Sequence, residues 1–127
     1  MDFENGRQPG AEEGRPSGPA RTRARLAAVQ ALYQMDMTQR DLSAVLEEFL
    51  THRFETVEIY AGADRDFFRE IVTGVAHAQA EIDEEIGSHL AQGWRLSRID
   101  SILRAILRSG VYEIVARTDV PARAAIN

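Results

Sequence analysis

The sequence predicts an all-α protein, a compact helical bundle of two helical subdomains, and three observations carry that expectation. Apolar residues recur at helical spacing in four segments between residues 19 and 117. Cap-forming residues stand just ahead of those segments. No strand-hairpin signal, glycine-rich phosphate loop or internal repeat interrupts them. With 127 residues, 44% of them hydrophobic, the chain has enough length for one domain or for two small subdomains sharing a core.

Residues 1–20 hold four of the nine glycines and three of the four prolines, with a local net charge of −2 and almost no apolar side chain. Such a segment cannot offset its ordering entropy and is expected to be a disordered acidic tail. Pro19 suits the first helical position, and the first helix runs to about Met37. Val29, Leu32, Tyr33 and Met37, with Leu26 beside them, form its apolar face; Arg23, Gln30 and Gln34 line another. Asp41, or the box Thr38–Asp41, caps a second helix with Leu42, Val45, Leu46, Phe49 and Leu50 on its core side.

Residues 54–62 read as a connection with a helical turn, although FETVEIYA alternates as a strand would. Asp64 then caps a single long helix in which Phe68, Ile71, Val72, Val75, Gln79, Ile82 and Ile86 share a face, with Glu81, Asp83, Glu84 and Glu85 outside. A turn around His89, Leu90 and Gly93 leads to Ser97-Arg-Ile-Asp100, a start resembling a capping box. The helix that follows offers Ile99, Ile102, Leu103, Ile106, Leu107, Gly110 and Ile114 as a broad core face. Pro121 opens a last element, PARAAIN, too short to stand without packing, so the chain reads as truncated inside a helix.

The chain contains no cysteine, which excludes disulfides, thiolate metal sites and a cysteine nucleophile. His52, His77 and His89 have no metal-ligand spacing, Ser97, Ser101 and Ser109 no nucleophile context, and Glu81 to Glu85 read as a solvated face. Neither an enzyme, a metal nor a cofactor is expected. No apolar run has the length of a signal peptide or membrane span, so a cytoplasmic protein is expected. Trp94 is read as packing at the mouth of the core helix in preference to stacking on a base, and Tyr112 as a buried hydroxyl with a partner.

A net charge of −5 argues against a surface that coats nucleic acid, so any such contact must be a local patch. Arg21, Arg23 and Arg25 form the one candidate, at a helix start where the dipole disfavours cations. They are either a solvated, arginine-rich helix start or a cradle in which guanidinium forks and free N–H groups converge on a phosphate. In the second case Gln30 and Gln34 extend the row toward bases or sugars of an unpaired strand.

Three ordered motifs, ARLAAVQALYQ at 24–34, LRAILRSGVYEI at 103–114 and DVPARAAIN at 119–127, resemble the bacterial NusB transcription antitermination family. The likeness runs from Arg21 to Asn127 and implies a helical RNA-binding domain, with residues 21–62 as the first subdomain and 64–127 as a long helix plus an incomplete second subdomain. It implies a non-enzymatic factor that binds boxA-type single-stranded RNA with the ribosomal protein NusE and joins an RNA polymerase elongation complex in ribosomal RNA operons. Arg21, Arg23 and Arg25 carry over as matched RNA-contacting positions, while Thr22 stands where relatives often have another arginine. Homodimerisation is left open, and truncation is expected to uncover the apolar face of Ile99 to Ile114 and favour association. Two other functions compete: the RNA-binding domain of a ribosomal RNA cytosine methyltransferase, and a helical adaptor that binds through Glu81 to Glu85 without RNA.

Overall fold

A computed structural model describes residues 18–117; the expectations for residues 1–17 and for the element opening at Pro121 fall outside that range. The described residues form five α-helices and no strand. α1 (Gly18–Thr38) precedes α2 (Leu42–Glu48), which continues through a wider π turn (Phe49–Arg53) and a closing α turn (Phe54–Thr56). A 3-10 turn (Glu58–Tyr60) leads to α3 (Arg65–His77) and α4 (Gln79–His89), and a second one (Leu96–Arg98) to α5 (Ser101–Tyr112), whose end widens into a π turn (Glu113–Arg117).

Local side chains account for most of these boundaries. Asp41 caps α2 by accepting from the Ala44 N–H at 2.9 Å, and Asp64 caps α3 by accepting from the Phe67 N–H at 3.1 Å. α1 ends where Gln39 takes a φ of +61° and donates its N–H to the Met35 carbonyl. The start of α5 differs from expectation: Ser97 lies inside the 3-10 turn, and Asp100 is the cap, accepting from the Ile102 N–H at 3.4 Å. Ile99 is the reason, because its extended backbone sinks the side chain to 8% exposure and delays the helix past it. The expected single long helix also changes direction, at Ala78 (φ −114°), so that α3 packs on α1 while Ile82 and Ile86 of α4 turn toward α5.

Phe49, Phe68, Ile71, Val45, Val72 and Val75 are fully buried and form the centre of the core, with Phe49 stacked on Phe68 at 5.5 Å and Phe54 edge-on to Phe68 at 4.9 Å. On α1 the buried stripe is only partly the expected one. Leu32 is buried as expected, but Ala24, Ala27, Ala28 and Ala31 carry most of the stripe, while Leu26 and Met37 are exposed and Val29 and Tyr33 only partly buried. Alanines let α1 approach its neighbours closely, and the larger residues flank that contact.

On α5 and its flanking turns, Ile102, Leu103, Ile106 and Ile114 are exposed, the uncovered apolar face expected above, while Ile99 is buried, Leu107 packs on the core, and Ala105, Arg108 and Ser109 face inward. Two carboxylates hold this inward side. Arg104 donates from Nε (3.0 Å) and Nη2 (2.7 Å) to Asp36 Oδ2 on α1, and Arg108 donates from Nε (2.8 Å) and Nη2 (2.9 Å) to the two oxygens of Asp83 on α4. Asp83 therefore leaves the acidic face assigned to it, although Glu81, Glu84 and Glu85 are exposed. Trp94, expected to pack, is 64% exposed, held on a turn where its N–H donates to Ala91 and Gly93 adopts a φ of +88°.

A second polar cluster joins α1 to α2. Glu48 accepts from Arg40, from the Gln34 amide and from Arg53, and these hydrogen bonds, Arg40 first, hold its carboxyl below the ordinary carboxylate range. A carboxylate with a depressed folded-state pKa contributes stability that is complete above its unfolded value and is lost as pH falls through the folded one. The expected result for Glu48→Gln is lower stability at neutral pH and a shallower fall on acidification, read from urea midpoints across the acid range. Parallel curves for the two proteins would contradict it.

Candidate nucleic-acid interface

α1 begins at Gly18, so Arg21, Arg23 and Arg25 are its fourth, sixth and eighth residues, and no acidic residue shares the first turn. The dipole penalty decays within that turn and falls mainly on Arg21. The helix start is anchored from the loop before α3, where the Asp64 N–H donates to the Ala20 carbonyl at 3.0 Å. The same loop places Gly62, at a φ of +76°, beside the Arg23 guanidinium.

Arg21 and Arg25, one turn apart, both lie over the ring of Phe67, at 4.8 and 5.2 Å from its centroid. Each such cation–π contact stabilises by about 0.5–1 kcal/mol at a partly exposed site and holds a flexible chain in one orientation. The Arg21 Nε is buried without a hydrogen-bond partner. Among the described residues neither Arg21 nor Arg23 has a carboxylate partner, and Arg23 is exposed.

Arg25 is different. Its Nε donates to both oxygens of Glu113, at 3.1 and 2.8 Å, and its Nη2 to Oε1 at 3.0 Å. Those hydrogen bonds raise the guanidinium further above its already high ordinary pKa, so it is charged at any working pH.

The two glutamines also diverge. Gln30 is exposed on α1, but Gln34 is half-buried, donating to Glu48 Oε1 at 3.1 Å and accepting from Arg53 Nη2 at 3.0 Å. Both ends of its amide are engaged in joining α1 to α2. The structure thus leaves Arg23 and Gln30 exposed, holds Arg21 half-buried over Phe67, ties Arg25 to the end of α5 and uses Gln34 internally. Two contributors escaped the sequence reading. Phe67 is the neighbour of the core residue Phe68 and has no sequence mark of its own, and Glu113 lies 88 positions from the arginine it binds.

Among the described residues no group of histidines and carboxylates is placed to hold a metal ion, and no helix is long and apolar enough to cross a membrane. The family model described as the NusB family matches residues 22–127. The chain is 47% identical over 110 residues to the transcription antitermination protein NusB of Caulobacter vibrioides, a match covering 84% of this chain and 74% of that protein. It is 52% identical over 108 residues to the NusB of Novosphingobium aromaticivorans, covering 82% and 72%. With the NusB of Rhodopseudomonas palustris it shares 44% identity over 120 residues, covering 92% and 71%.

Proposed function

The chain belongs to the NusB family, and from that premise we propose that it acts in transcription antitermination by binding single-stranded RNA of the boxA type at the start of α1. The observation that carries this reading is the pair of cations Arg21 and Arg23 in the first two turns of α1, which have no carboxylate partner among the described residues, one of them braced on Phe67. Guanidiniums with no carboxylate among the described residues suit phosphate oxygens. A protein of net charge −5 gains little from unspecific attraction to RNA, so this patch carries the electrostatic contact.

Gln30 extends the patch along α1 and supplies an amide for a base edge or sugar. Gln34 contributes by holding α1 against α2. NusE and the RNA polymerase elongation complex are the protein partners in this reading, and the cytoplasm is where it operates.

A fluorescence-anisotropy titration with boxA-type and scrambled RNA, with and without NusE and across a salt series, tests it. Affinity is expected to fall as salt rises, and Arg21→Ala and Arg23→Ala are each expected to flatten the slope of log K against log salt by about 0.7–1. Unchanged binding in the triple variant Arg21→Ala, Arg23→Ala, Arg25→Ala would sink the assignment.

A further inference from the structure

The fork of Arg25 that would seat a phosphate is already filled. Its Nε–Nη2 edge, the edge that takes two parallel hydrogen bonds from an anion, is closed by three contacts of 2.8–3.1 Å with the carboxylate of Glu113. A phosphate oxygen approaching the same edge meets a like charge and must first displace it. Arg21 shares the Phe67 ring with Arg25 but has no such carboxylate among the described residues.

We infer that Glu113 occupies Arg25 in place of an RNA phosphate, so that this carboxylate, at the end of α5, determines whether two or three arginines of α1 engage the RNA. This rests on the RNA-binding reading above. Its geometry makes it a property of position: Glu113 opens the π turn Glu113–Arg117, so a shift of that turn draws the carboxylate from Arg25 and frees the fork. Arg25 is 44% and Glu113 21% exposed at the side chain, so both can be reached and exchanged by a ligand from solvent. The guanidinium end is the open one, so an RNA phosphate competes with the carboxylate from that side.

The test is a double-mutant cycle on the full chain, with boxA-type single-stranded RNA in anisotropy titrations over a salt series. Glu113→Gln is expected to tighten binding by about 3- to 10-fold at low salt and to steepen the salt slope by about 0.7, the increment for one further phosphate on a single strand. Arg25→Ala is expected to abolish the gain in the Glu113→Gln background. Glu113→Ala should act in the same direction as Glu113→Gln, which covers a fold-specific failure of either variant; a circular-dichroism melt reports folding for each.

Unchanged or weaker binding in both Glu113 variants, with Arg21→Ala and Arg23→Ala still costly, would overturn this inference alone and make Glu113 a support that positions Arg25. Loss of any dependence on Arg21 and Arg23 would instead overturn the RNA-binding reading.

Discussion

Asp36→Ala is expected to lower the stability of the protein by about 2–4 kcal/mol, a drop of roughly 10 °C in melting temperature for a domain of this size. The magnitude follows from what is left behind. Asp36 is 23% exposed and faces Arg104 at 2.7 Å and Arg108 at 3.7 Å, two guanidiniums that are 15% and 10% exposed and one helical turn apart on α5. Without the carboxylate, two like charges sit together in a poorly solvated place.

Two features keep the cost below the usual 3–5 kcal/mol for breaking a buried pair. Arg104 Nη1 still donates to the Leu96 and Ile99 carbonyls, at 3.2 and 2.9 Å, and Arg108 retains both bonds to Asp83. Glu55→Ala is the natural control, because its pair with Arg65 is 64% and 44% exposed and such surface pairs contribute about 0–1 kcal/mol. The double variant Asp36→Leu, Arg104→Met should recover part of the loss, since removing both charges of a buried pair costs less than removing one. Urea denaturation of the four proteins decides it, and a loss at Asp36 no larger than at Glu55 would show that the network does not hold α5 in its rotation.

Gly74→Ala should be destabilising, by about 1–3 kcal/mol, although an alanine at an unhindered helix position would gain about 1 kcal/mol over glycine. A Cβ at Gly74 would fall 2.2 Å from Cε1, 2.4 Å from Cζ and 2.6 Å from the hydroxyl oxygen of Tyr112. Tyr112 lies flush on α3 because residue 74 has no side chain, and the ring is part of what seats α5 on α3. The overlap exceeds any gain in helix propensity, so the ring must swing away and its packing is lost. The cycle with Tyr112→Ala separates the two effects: in that background Gly74→Ala should become neutral or stabilising. A thermal melt showing Gly74→Ala stabilised with Tyr112 present would refute the account.

Both predictions concern α5, the element least legible beforehand. Its apolar periodicity was plain, and on periodicity alone Ile102, Leu103 and Ile106 belong in a core. They are exposed, as the uncovered face was expected to be, and hydrophobic spacing does not say which other residues of α5 turn inward. The orientation follows instead from two ion pairs and one aromatic-on-glycine contact, each joining residues far apart in the chain. The Arg25–Glu113 pair escaped notice for the same reason.

From the sequence alone came the helical class, the caps Asp41 and Asp64, the core stripes of α2 and α3, and the arginine cluster that marks the candidate interface. All depend on residues within a few positions of one another, where spacing and capping chemistry act directly. Only the tertiary structure decided the bend at Ala78, the alanine stripe of α1, the rotation of α5 and which arginines are free. Those outcomes depend on how closely two helices can approach and on which carboxylate a guanidinium meets, and neither quantity is encoded in local spacing.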